Sequence, residues 1–161
     1  MAWQAHGKIG ADARGIAARA AQLAWPETVD VVLISTGVND LLGLATVRDW
    51  QHRIEALVAV VQQHAPDAWI VFAGLPPLQI FPALPWPLNQ LFGLRADHFD
   101  EILHKTVAPF ERVFTVPIRP EVAPEGMAAD GFHPGILGYQ ALSRLVGEAL
   151  SPKFTAPNYS G

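Results

Sequence analysis

The residues with chemical potential lie in two short blocks. Asp130-Gly131-Phe132-His133-Pro134 sits near the end of the chain, and Gly37-Val38-Asn39-Asp40 closes an apolar run far upstream. A carboxylate three residues before a histidine can orient the ring through one nitrogen and leave the other free as a general base. A strand that ends in Gly-x-Asn can aim a side-chain amide at a developing oxyanion. These are two parts of a serine-hydrolase site, and the third, the nucleophile, has no good candidate. Ser35 stands in or at the end of a strand with no glycine before it to form a nucleophile turn. Ser143 falls in the last predicted helix, and Ser151 and Ser160 lie in or beside the tail. Each block also has a plainer use. Asp130 and Gly131 suit a turn before a helix, and Asn39 and Asp40 suit a turn and cap after a strand.

Three apolar runs must position these blocks. Val29 to Ser35, Trp69 to Ala73 and Arg112 to Val116 read as buried strands, continuous enough for a parallel sheet covered on both faces. Helical periodicity fills the intervals. It covers Asp12 to Leu23, a stretch after Thr46 as N-cap, Leu88 to Val107, and Ile136 to Leu150. Strand–helix alternation at this spacing predicts an open parallel α/β sheet with right-handed crossovers, with ligands at the carboxyl ends of the strands. Residues 1–150 form the expected domain and 151–161 a loose tail. Of the five tryptophans, most are expected in the core.

At 161 residues the chain is long enough for one well-formed core, and half of it is apolar. A formal net charge of -4 and no basic run give no sign of a nucleic-acid partner. There is no cysteine, so neither disulfides nor a thiolate metal site arise, and the histidines His6, His52, His64, His98 and His104 lack metal-ligand spacing. No metal or cofactor is expected. The first residues lack the basic stretch and apolar core of a signal peptide, and the sequence assigns no compartment and no oligomeric state. Residues 68–94 carry no charge, but Pro76, Pro77, Pro82, Pro85 and Pro87 argue against a transmembrane helix. A strand followed by an apolar loop is expected instead. From that loop Leu78, Ile80, Phe81, Leu84 and Trp86 are candidates to line an acyl pocket or a lipid-facing rim. The competing expectation is that the loop simply packs on the domain or on a second subunit.

From about Ala5 to about Leu150 the sequence resembles the SGNH (GDSL-type) esterases and lipases. The resemblance implies a flavodoxin-like α/β sheet with helices on both faces and hydrolysis of a small-molecule carboxylic ester. It implies that His133 is the general base, Asp130 its orienting partner and Asn39 an oxyanion-hole donor. The family's glycine block is similar to Gly7-Lys8-Ile9-Gly10-Ala11-Asp12, which would make the Gly10 N–H a second oxyanion donor; a tight bend is the plainer use of that glycine. The family's Gly-Asp-Ser block, at the end of a central first strand, is missing here. The expected nucleophile therefore lies upstream, the expected sheet has a gap where that strand belongs, and the isolated chain should be poorly stable or aggregate. The greasy loop points to lipid or small acyl esters rather than glycan acetyl esters. The rival expectation is a non-catalytic ligand-binding or interaction module on the same scaffold.

Overall fold

The structure, a computed structural model, describes residues 2–119 and 122–155. Three parallel strands form its sheet, β1 (Val31–Ile34), β2 (Trp69–Ala73) and β3 (Val113–Val116), in the order β1-β2-β3. Register pairs Val31 with Trp69 and Ile70 with Val113. Among the described residues five α-helices accompany them: α1 (Ala13–Ala20), α2 (Val38–Leu42), α3 (Val47–His64), α4 (Leu88–Val107) and α5 (Ile136–Thr155). The architecture is the expected α/β one, an open parallel sheet with helices on both faces.

Alternation along the strands divides the core in two. Ile34, Ile70, Phe72 and Val113 point into the larger cluster, which includes Ala13 and Ala17 of α1, Trp50, Ile54, Leu57, Val58 and Val61 of α3, and Phe99 and Leu103 of α4. Val71 and Val116 point the other way, against Val146 of α5 with Leu142 and Leu145 beside it. The period of two in the strands and of three to four in the helices creates both layers. Full burial of Phe72 alone contributes about 1.5–3 kcal/mol.

Local chemistry sets the helix ends. Asp12 caps α1, its Oδ1 accepting the Gly15 N–H at 2.8 Å. Thr46 and Asp49 form a reciprocal capping box at the start of α3, where the Thr46 hydroxyl also holds the Asp49 carboxyl below its usual range.

Four expectations change. Among the described residues, the sheet edges without a partner strand are the outer ones of β1 and β3, and no internal gap separates the strands, because the three are direct neighbours. Gly37-Val38-Asn39-Asp40 is the N-terminus of a short helix, not a turn, with Gly37 at φ 116° as its N-cap. Helix α5 continues through Pro152 to Thr155, five residues into the expected tail. There Lys153 Nζ lies 4.8 Å from the centre of the Trp69 ring, a contact that ties the last turn of the helix to the start of β2. The remainder of that tail, residues 156–161, lies outside the described residues. Finally, only Trp50 among the tryptophans is fully buried, whereas Trp3 and Trp86 are exposed.

Candidate active site

The segment that carries Asp130 and His133 is a tight loop ahead of α5. The Ala128 N–H donates to the His133 carbonyl at 2.8 Å, the Gly135 N–H to the Gly126 carbonyl at 2.8 Å, and Met127 bridges Pro134 in antiparallel fashion. Gly131 turns the chain at φ 64°, a conformation glycine adopts without strain. Inside this loop Asp130 Oδ1 accepts the N–H groups of Phe132 and His133, both at 2.9 Å. Its Oδ2 lies 2.6 Å from His133 Nδ1. The two backbone donors and the imidazole lower the Asp130 carboxyl to about 2, the His133 N–H being the largest cause. His133 Nε2 has no hydrogen-bond partner among the described residues, and the ring is largely solvent-exposed.

The two upstream blocks are joined to each other. Asn39, in the first turn of α2, donates from Nδ2 to the Ala11 carbonyl at 2.9 Å. A primary amide has two N–H groups, and the other has no partner among the described residues. Gly10 stands at φ 70° in the exposed turn before α1, and its N–H makes no hydrogen bond among the described residues.

The loop that leaves the carboxyl end of β2 touches both halves. A Cβ built on Gly37 would lie 3.2 Å from Leu75 Cδ1, at the start of that loop. Farther along, the Ala83 N–H donates to the Gly131 carbonyl at 3.3 Å, and the Phe81 and Phe132 rings meet edge to face with centroids 5.5 Å apart. No hydrogen bond links Asn39 directly to His133.

The five loop residues expected against substrate do not share one surface. Leu78 and Phe81 belong to the buried core, Ile80 and Leu84 are half-buried against it, and Trp86 is 80% exposed. Composition marks the loop as apolar but is blind to which side chains turn inward. Two open clefts lie elsewhere. One of about 410 Å³ is lined by Asp30, His64, Asp67, Trp69 and Arg112 at the amino ends of the strands. The other, about 360 Å³, is lined by Gly74, Asp100, His104 and Thr115. Neither includes Asn39 or His133.

Sequence reasoning missed one ionic group. Arg53 of α3 reaches Asp40 Oδ1 at 2.8 Å and Asp12 Oδ2 at 3.1 Å. A signal was present: Arg53 falls three residues after Trp50 and four before Leu57, on the flank of a buried helical stripe, where a charge requires partners.

The candidate site thus consists of an Asp-x-x-His loop ahead of α5 and an Asn-bearing helix start after β1, both carried by a parallel α/β sheet. The GDSL-like lipase/acylhydrolase family profile matches residues 4–141, and the chain belongs to that family, one of ester hydrolases. None of the curated proteins matches it in sequence. Solved structures resemble it in fold. A candidate platelet activating factor from Streptococcus pneumonia superposes with a TM-score of 0.76 at 18% identity, over 88% of this chain and 69% of the other. A GDSL-like lipase from Bacteroides thetaiotaomicron gives 0.67 at 15% identity, over 89% and 73%. A carbohydrate esterase family 3 protein from Talaromyces cellulolyticus gives 0.64 at 15% identity, over 92% and 70%.

Proposed function

We propose that the protein is a serine-type hydrolase of lipid or small acyl esters, with His133 as general base, Asp130 as its orienting partner, and Asn39 Nδ2 and the Gly10 N–H as oxyanion donors. The observation that carries this reading is the 2.6 Å contact between Asp130 Oδ2 and His133 Nδ1, with Nε2 left unpartnered among the described residues. The nucleophile is a serine outside these 161 residues. Ser35 follows the end of β1 and makes no hydrogen bond to His133, and Ser143 and Ser151 lie within α5.

In this mechanism the serine Oγ attacks the ester carbonyl carbon while its proton passes to His133 Nε2. The carbonyl oxygen becomes an oxyanion held by the two N–H donors, each of which is typically worth about 3 kcal/mol in the transition state. Collapse expels the alcohol, which takes the proton back from the imidazolium. Water then attacks the acyl-serine with His133 again as base, and the carboxylic acid leaves. Ile80, Leu84 and Trp86 contact the acyl chain, while Leu78 and Phe81 hold the loop from beneath.

The absence of a serine hydrogen-bonded to His133 Nε2 among the described residues favours a second reading, a non-catalytic ligand-binding module. Fluorophosphonate labelling separates the two. The expected result is labelling of the chain extended by its upstream coding sequence, loss of that label in His133→Ala, and no labelling of the 161 residues alone. An unlabelled extended chain supports the non-catalytic module. A labelled 161-residue chain overturns the upstream nucleophile.

A further inference from the structure

Asp40 is buried beneath the first turn of α2, and two groups approach its carboxylate. The Ala13 N–H donates to Oδ2 at 2.9 Å, and Arg53 Nη1 donates to Oδ1 at 2.8 Å. The same Nη1 reaches Asp12 Oδ2 at 3.1 Å, while Asp12 Oδ1 caps α1. Hydrogen-bonded to Asp40, the Arg53 guanidinium is raised above its ordinary range.

The two backbone segments joined here are those of the Gly10 and Asn39 donors. Residues 11–13 are fastened to residues 39–40 by two direct bonds, Asn39 Nδ2 to the Ala11 carbonyl and the Ala13 N–H to Asp40. Arg53 adds a clamp from a third element, because one guanidinium nitrogen holds a carboxylate from each segment at a fixed separation. The two N–H groups of a planar guanidinium nitrogen point in fixed directions, whereas an ammonium turns on a flexible stem. Oxyanion donors act only when both lie about 2.7–3.1 Å from the same developing charge, and an error of about 1 Å can cost on the order of 10²-fold in rate.

Resting on the assignment of Gly10 and Asn39 as oxyanion donors, we propose that Arg53 and Asp40 are positioning residues that fix the distance between those donors. Neither touches the ester. Arg53 stands outside both motif blocks and acts through the carboxylates at their ends.

The test uses the protein at its full natural length, with Arg53→Met, Arg53→Lys, Asp40→Asn and, as a control on the exposed side of α3, Arg48→Met. Two readouts are taken: steady-state hydrolysis of a soluble acyl ester, and the ¹⁵N-resolved signals of the Asn39 side-chain amide and the Gly10 backbone amide. In Arg53→Met, kcat should fall about tenfold or more with KM held within about twofold, the signature of an interaction made in the transition state. The Asn39 and Gly10 signals should both move, and Arg53→Lys should recover part of kcat. Arg48→Met should change neither readout. Unchanged kcat in Arg53→Met overturns the proposal, and so do Asn39 and Gly10 signals that stay in place. Should Arg53→Met not fold, Arg53→Lys and Asp40→Asn carry the same comparison. A full-length protein that hydrolyses no ester defeats the hydrolase reading, whereas the two amide signals still report independently on the clamp.

Discussion

Gly37 and Trp50 are so close that a Cβ on the glycine would lie 2.9 Å from Cη2 of the indole. The tryptophan is fully buried and donates its Nε1–H to the Phe99 carbonyl at 3.0 Å, so it is held from both sides. Asn39 is thus aimed from a helix start that rests directly on the core. Gly37→Ala should destabilise the fold by about 1–3 kcal/mol, through overpacking and through its φ of 116°. A urea titration measures this, and an unchanged midpoint would show that the indole yields.

Asp130 supplies a pH prediction. Its carboxyl is lowered from 3.8 to about 2, so the ionised form is the one the folded loop favours. Its contribution to loop order is complete above pH about 4, the ordinary carboxylate value, and is lost as pH falls through about 2. Carboxyl NMR should therefore find an Asp130 midpoint near 2. In Asp130→Asn, ester turnover by the full-length protein should drop by up to about 10⁴-fold, because the imidazole loses the carboxylate that sets its tautomer and orientation. A midpoint at the ordinary value, or retained turnover, would remove the carboxylate from its assigned role.

Leu78 and Trp86 lie in one apolar loop with opposite exposures, and they should respond oppositely. Leu78→Ala should cost about 2–5 kcal/mol of stability, as removal of a fully buried leucine does. Trp86→Ala should change stability by no more than about 0.5 kcal/mol while lowering turnover of long-chain esters relative to acetyl esters. An acyl-length profile untouched by Trp86→Ala would take the indole off the substrate.

The outer edge of β1 has no partner strand among the described residues, and Leu33 on it is 46% exposed. An apolar edge of that kind templates pairing with another chain. The 161 residues alone should self-associate in sedimentation analysis, and Leu33→Lys should reduce that association. A monodisperse 161-residue chain with a cooperative unfolding transition would contradict this.

Much of the scaffold was legible because its signals are local. Thr46 opens α3 and Leu88–Val107 is α4, as capping chemistry and periodicity require. Helix α2 was not legible as a helix, since five residues are too few to show a period. The Arg53 clamp was not, because its partners lie 13 and 41 positions away. Nor was the inward turn of Leu78 and Phe81, since a run that is apolar on every side does not declare which side faces the core. At the candidate site, the spacing allowed either a contact between Asp130 and His133 or a turn, and Asp130 makes both. The link between Asn39 and Ala11 is a tertiary fact.

The Ala83–Gly131 hydrogen bond and the Phe81–Phe132 ring contact have an evolutionary consequence. Residues beside the proposed acyl contacts therefore touch residues beside the proposed base. Lineages that reshape one for a new ester will drag the other along, so shifts in preference should arrive paired with compensating changes across that seam.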